Sequence, residues 1–145
     1  EQLMDVGKNV VFLTLGDPTV YATYLYIHRQ VKKDGFDARI ISGVPSFCAA
    51  AASLSEGLVE NSEELHVIPA SYQIEEALKL PGTKVLMKAG RQMPTVKQFL
   101  KENGCQAVMV ENCGMDTEQK YFSTDEIPDH ASYYSLIIVK EKRKK

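Results

Sequence analysis

An apolar run, Val10-Val11-Phe12-Leu13-Thr14-Leu15, stops at Gly16-Asp17-Pro18, and from Thr19 onward apolar residues recur at helical spacing. A buried strand that empties into a tight turn and then a helix is the building unit of an α/β sheet. Gly16 carries no Cβ, so the backbone there can come close to a ligand. Asp17 suits a helix cap, and Pro18 suits the first helical position, where no amide donor is needed. The turn is both a structural device and a candidate binding wall, because open α/β sheets hold ligands at the carboxyl ends of their strands.

The alternation continues along the chain. Residues 19–33 form the expected first helix, with Val20, Tyr24, Ile27 and Val31 on one face and Gly35 as its stop. Strands are expected over residues 10–14, 37–42, 65–69, 84–88 and 106–111, with a last, antiparallel pair over 119–123 and 133–139. Further helices are expected over 46–54, 74–80 and 93–103. Short loops join these elements, so the expected fold is α/β: a mixed, mainly parallel sheet with flanking helices. The 145 residues have the length of one domain. A net charge of −2 gives no electrostatic footprint for nucleic acid, and no apolar stretch reaches membrane-spanning length. Cys48, Cys105 and Cys113 lack metal-ligand spacing and fit a reducing, cytoplasmic setting. The basic tail from Lys140 reads as a solvated terminus. The opening at Glu1 reads as the end of a helix, which points to a longer protein.

Four expected strands end in turns rich in glycine or small residues. These are Leu15-Gly16-Asp17, Gly43-Val44-Pro45-Ser46, Met87-Lys88-Ala89-Gly90 and Glu111-Asn112-Cys113-Gly114-Met115. Gathered at one sheet edge, they would make a concave site of main-chain groups suited to a nucleoside-type ligand. Equally, α/β folds need such turns to reverse the chain.

Taken with Ser42-Gly43-Val44-Pro45-Ser46-Phe47-Cys48-Ala49-Ala50-Ala51-Ala52, Leu65-His66-Val67-Ile68-Pro69-Ala70 and Val85-Leu86-Met87-Lys88, these segments resemble the carboxyl-terminal domain of the tetrapyrrole (corrin and porphyrin) methylase family. The resemblance runs over roughly residues 8–140 and is nearest to the branch that methylates C-20 of precorrin-2 or its cobalt form. It implies that residues 1–145 are the second of two α/β domains, with the first lying before Glu1. It also implies S-adenosylmethionine (SAM) as methyl donor in the cleft between domains, a tetrapyrrole acceptor in cobalamin synthesis, and a homodimer. By the same resemblance Leu15, Gly16, Asp17 and Val20 line the SAM site, with Pro45, Ser46, Met87, Gly114 and Met115 around it. No metal is implied, no catalytic base is identified, and the second domain alone is expected to be inactive. The family has Pro-Gly where this chain has Ser42-Gly43, and a serine there is expected to loosen the turn.

Individual residues keep two readings. Asp17 either caps its helix or attracts the sulfonium or amino group of the donor. Met87 and Met115 are core methionines or thioethers against adenine. Lys88 is a solvated strand end or a partner for substrate carboxylates. His28 reads as a packed histidine, His66 as a strand residue able to reach a macrocycle carboxylate, and His130 as a solvated loop residue. Cys48 and Cys113 flank the site turns but read as packing. Tyr21 and Tyr24 either wall the cleft or pack their helix. Two other function classes stay open on residues alone: a non-catalytic SAM- or nucleotide-binding regulatory module, and a receiver-like interaction domain. The latter needs clustered acids at strand ends, where only Asp17 stands.

Overall fold

Leu136-Ile137-Ile138-Val139 is apolar at every position, the pattern of a strand covered on both faces. In the computed structural model, which describes residues 4, 6–69 and 74–140, this run lies at the centre of a five-stranded sheet. The chain divides into two units, residues 1–46 and 47–145.

The first unit carries helix α1 (Tyr24–Lys33). Residues 10–14 and 37–42, expected as strands, form none. Their composition suits strands, but a strand exists only through its ladder partners, and no ladder reaches these segments. They instead line a cleft of about 620 Å³ together with Tyr24, Ile27 and Val31 of α1. The Phe12 and Tyr24 rings stack across it with centroids 5.2 Å apart. The helix begins at Tyr24 rather than Thr19, because residues 18–21 are held in turns.

The second unit holds the sheet: β1 (Leu65–Pro69), β2 (Thr83–Met87), β3 (Gln106–Glu111), β4 (Gln119–Tyr121) and β5 (Ser135–Lys140). Their order in space is β1-β2-β5-β3-β4. Helices α2 (Ser46–Ser53), α3 (Ile74–Leu78) and α4 (Met93–Glu102) accompany them. Side chains alternate between faces along each strand. Leu86, Met109, Ile137 and Val139 meet Leu78 of α3, Met93, Val96 and Leu100 of α4, and Ile127. Val85, Val110, Leu136 and Ile138 meet Ala50, Ala51 and Leu54 around α2. The sheet is therefore the middle of three layers, with a core on each side.

The expected mainly parallel pairing is corrected here. Among the described residues only β1 and β2 pair in parallel, and the other three ladders are antiparallel. The cause is β5, which inserts between β2 and β3 and runs against both. The strands β1, β2 and β3 still share one direction, so their carboxyl ends at Pro69, Met87 and Glu111 lie along one edge. The helix expected over 74–80 ends at Leu78, before Pro81, and the last strand starts at Ser135 instead of Tyr133. The helix end read at Glu1, Ala70 of the third motif and the tail beyond Lys140 lie outside the described residues.

Gly82 sets the entry into β2. Its φ is +74°, and a Cβ there would run into the Glu64 carbonyl, which accepts the Thr83 amide at 2.9 Å. A Gly82→Ala substitution combines positive φ with that collision, and is expected to lower unfolding stability by roughly 1–3 kcal/mol in denaturant titrations.

Candidate functional site

Asp17 is the hub of the first unit. Its side chain accepts four hydrogen bonds: from the Thr19 amide at 2.8 Å, the Thr19 hydroxyl at 2.5 Å, the Ser42 hydroxyl at 2.5 Å and the Gly43 amide at 3.0 Å. The Ser42 bond, followed by those from Thr19, holds this carboxyl well below the usual carboxylate range, so it stays ionised. The carboxylate is not a helix cap. The residue before α1 is Thr23, which makes no side-chain cap, and Asp17 instead ties two loops together. Ser42 accordingly tightens the turn it was expected to loosen.

The two glycines complete this junction. A Cβ on Gly43 would collide with the Gly16 carbonyl. Gly16 has φ +75°, while a Cβ there would meet Val44 O and Ser46 N only at 3.7 Å. The backbone conformation, rather than lack of room, is what requires glycine at this point. Around the junction Leu15, Gly16 and Ser46 are exposed, and Val20 and Pro45 are half-buried. Six of the nine predicted site residues therefore belong to the first unit.

Met87, Gly114 and Met115 belong to the second. Met87 ends β2 and Glu111 ends β3 on the shared edge. Met87 packs partly on the core beside α2, which favours its structural reading, whereas Met115 is 40% exposed. The loop after β3 passes through left-handed conformations at Asn112 and Gly114, and a Cβ on Gly114 would face open space. Glu118, which the motifs did not single out, fixes this loop. It accepts the Gly114 amide at 2.6 Å and the Ser53 hydroxyl at 2.8 Å, and it pairs with Lys120 at 3.1 Å. Lys120 in turn donates to the Ser53 carbonyl at 2.7 Å. The Gly114 amide, more than any other partner, lowers the Glu118 carboxyl to about 2. Burial, and then the Glu118 charge, push the Cys113 thiol up, which fits packing rather than reactivity.

A second knot joins the same edge to the start of β5. The Glu111 carboxylate accepts the Ser132 amide at 2.5 Å and the Tyr121 hydroxyl at 3.4 Å. The Ser132 hydroxyl donates to Asn112 Oδ1 at 2.8 Å and accepts the Tyr134 amide at 3.2 Å, while the Asn112 amide donates to Tyr134 O at 3.0 Å. These residues are spaced too far apart in sequence to announce one another. A carboxylate-amide pair at a strand end, Glu111-Asn112, is the one local signal. The remaining candidates have structural partners: His28 meets the Tyr24 hydroxyl through Nδ1 at 3.2 Å, and His66 meets Glu64 at 3.1 Å. Cys48 and His130 are exposed.

A carboxyl whose pKa falls on folding stabilises the fold above its unfolded value and loses that effect as pH falls through the folded value. For Glu118 this window runs from 4.5 down to about 2. Glu118→Gln is therefore expected to lower the melting temperature by several degrees near neutral pH. Its gap to wild type should narrow across that window in melts taken at successive pH values.

The family described as Tetrapyrrole (Corrin/Porphyrin) Methylases matches residues 1–127. A probable cobalt-precorrin-2 C(20)-methyltransferase of Methanocaldococcus jannaschii is 33% identical over 88 residues, which are 61% of this chain and 38% of that protein. A precorrin-2 C(20)-methyltransferase of a Sinorhizobium species is 29% identical over 138 residues, 92% of this chain and 56% of that protein. Across such relatives the chain spans between 29% and 61% of the full length. Among solved structures, a cobalt precorrin-4 methyltransferase has a TM-score of 0.82 at 20% identity, covering 96% of this chain and 66% of that one. A uroporphyrin-III C-methyltransferase from Thermus thermophilus, complexed with S-adenosylhomocysteine, has a TM-score of 0.66 at 15% identity, covering 87% of this chain and 63% of that one. These structural likenesses concern the fold. With the family match running over most of its length, the chain belongs to the tetrapyrrole (corrin/porphyrin) methylase family.

Proposed function

We propose that this chain is the carboxyl-terminal domain of a SAM-dependent methyltransferase acting on C-20 of precorrin-2 or cobalt-precorrin-2 in cobalamin biosynthesis. The observation that carries the reading is the family match, which takes in the turns of both units. Relatives named for this reaction align with 92% and 96% of the chain. A purely regulatory module is not favoured, because these relatives are named as methyltransferases.

The residues present fit such a donor. In the first unit Leu15, Val20 and Pro45 supply apolar surface and Gly16 exposes main chain; the second unit contributes its own loop at Gly114. Met115 offers a polarisable thioether suited to an aromatic ring. When bound, SAM supplies a methyl group already activated by its sulfonium. The work left to this chain is alignment and exclusion of water, for which rigid walls matter more than a reactive side chain. Asp17 holds the Gly16 and Gly43 turns in register through its bonds to Thr19, Ser42 and the Gly43 amide. Glu118 does the same for Gly114, whose amide it occupies, while the Met115 amide binds Asn112 O at 3.0 Å. The Met115 side chain, not its N–H, is what that loop offers a ligand.

Incubating the full-length protein with SAM and each precorrin-2 form should yield a product heavier by one methyl group, with the new carbon located at C-20 by NMR. S-adenosylhomocysteine should bind the full-length protein at least about tenfold more tightly than it binds residues 1–145. Binding without any methyl transfer would return the regulatory reading.

The proposal extends to a cytoplasmic homodimer. Val11, Leu13 and Leu15 are 79%, 86% and 72% exposed, an apolar row of the kind that drives association. Light scattering over a concentration series, with reductant present, should report a mass above the monomer, through a contact burying on the order of 1,000 Å² or more. A strict monomer at the highest concentration would count against it.

A further inference from the structure

Two segments of the first unit are pleated like strands and lack only a ladder. Exposure alternates along residues 10–13: Val10 and Phe12 are 54% and 52% exposed, Val11 and Leu13 79% and 86%. The less exposed face meets α1, where Phe12 stacks on Tyr24. The same alternation runs through residues 37–41. Ala38 and Ile40 are half-buried, whereas Asp37, Arg39 and Ile41 are exposed, and Asp37 pairs with Arg39 at 3.6 Å on that outer face. Yet among the described residues the main chain of 10–14 and of 37–41 makes no hydrogen bond.

Extended main chain must satisfy its N–H and C=O groups, and sheet edges that face water are blunted by charge, proline or bulges. Residues 10–15 carry neither charge nor proline and are apolar except at Thr14, the composition of a strand inside a sheet. A strand–helix–strand connection joins parallel strands of one sheet, and the two need not be neighbours in it. Residues 10–14, α1 and 37–42 form such a connection without the sheet. Asp17 ties their carboxyl ends together through Ser42 and the Gly43 amide, so the walls of the cleft they line are set before any partner arrives.

We propose that this cleft of about 620 Å³ seats a β-strand from the part of the full-length protein outside residues 1–145, and that 10–14 and 37–42 become strands by pairing with it. The length of the relatives selects this occupant. Those aligning with 92% and 96% of this chain are matched over 56% and 61% of their own length, so each carries further chain. A covalently attached strand also arrives at a high effective concentration, which favours it over a separate partner. Residues 1–46 then belong to the sheet of the neighbouring domain, and the carboxyl-terminal domain proposed above begins at Phe47. Val11 and Leu13 lie on the opposite face and stay available for the association described above. Such pairing is main-chain chemistry and does not depend on the methyltransferase reading.

Amide hydrogen exchange on the full-length wild-type protein tests this, with β2 of the same molecule as reference. Amides in both segments should exchange about a hundredfold or more slowly than unstructured chain, in the range of residues 83–87. NMR on a mixture of isotope-labelled and unlabelled full-length protein then identifies the partner. Cross-strand contacts should run from the amides of 10–14 and 37–41 to residues outside 1–145 of the same labelled chain. Exchange as fast as unstructured chain in either segment overturns the proposal. So do contacts that join the two segments directly to each other with no strand from outside. Contacts that cross from labelled to unlabelled molecules also overturn it, and assign the cleft to a second copy.

Discussion

The second unit depends on the insertion of β5 between β2 and β3. That strand makes two antiparallel ladders, and its buried side chains feed both cores: Ile137 and Val139 on one side, Leu136 and Ile138 on the other. Without it β2 and β3 would each lose their principal partner, and the two helical layers would have no common surface. A strand so placed must be apolar at nearly every position, and Leu136 to Val139 are. Its insertion also brings the carboxyl ends of β2 and β3 to one edge with a strand's width between them, which leaves room there for the loop that starts β5.

Carboxylates give the loops the rigidity that β5 gives the sheet. Asp17, Glu118 and Glu111 each accept hydrogen bonds from loop amides and hydroxyls, and two of them are held ionised by those bonds. None is required to touch a reacting atom. The methyl transfer proposed above, whose donor is already activated, would ask for walls that do not move, and acceptor-rich side chains among loop amides are a direct way to make them.

The helices and strands of the second unit were legible in the sequence, because apolar periodicity and the punctuation at Pro81, Gly82 and Gly104 coincide there. Residues 10–14 and 37–42 show the limit of that signal: β-branched composition states a preference, and only a partner makes a strand. The pairing order was not legible either, since nothing local to β5 says between which strands it lies. At the site, the glycines and Asp17 stood out by type, yet the role of Asp17 turned on Ser42, 25 positions away. A serine in place of proline loosens a turn by its backbone alone, and the Ser42 hydroxyl reverses that by bonding Asp17. Glu118 had no local signature at all. Its partner Ser53 lies 65 residues earlier and meets it only after folding.

The strand at the centre of the sheet is made after the other four. During synthesis β1 and β2 can pair as they emerge, but β2 and β3 have no seam between them until residues 135–140 follow. Both cores must stay open until then, with Leu86 and Met109 on one side and Val85 and Val110 on the other awaiting cover. Closure therefore waits on contacts of long sequence separation, which form slowly. A chain stopped before Ser135 would lose the middle of its sheet rather than a fraying end, and would expose apolar surface of the kind that aggregates.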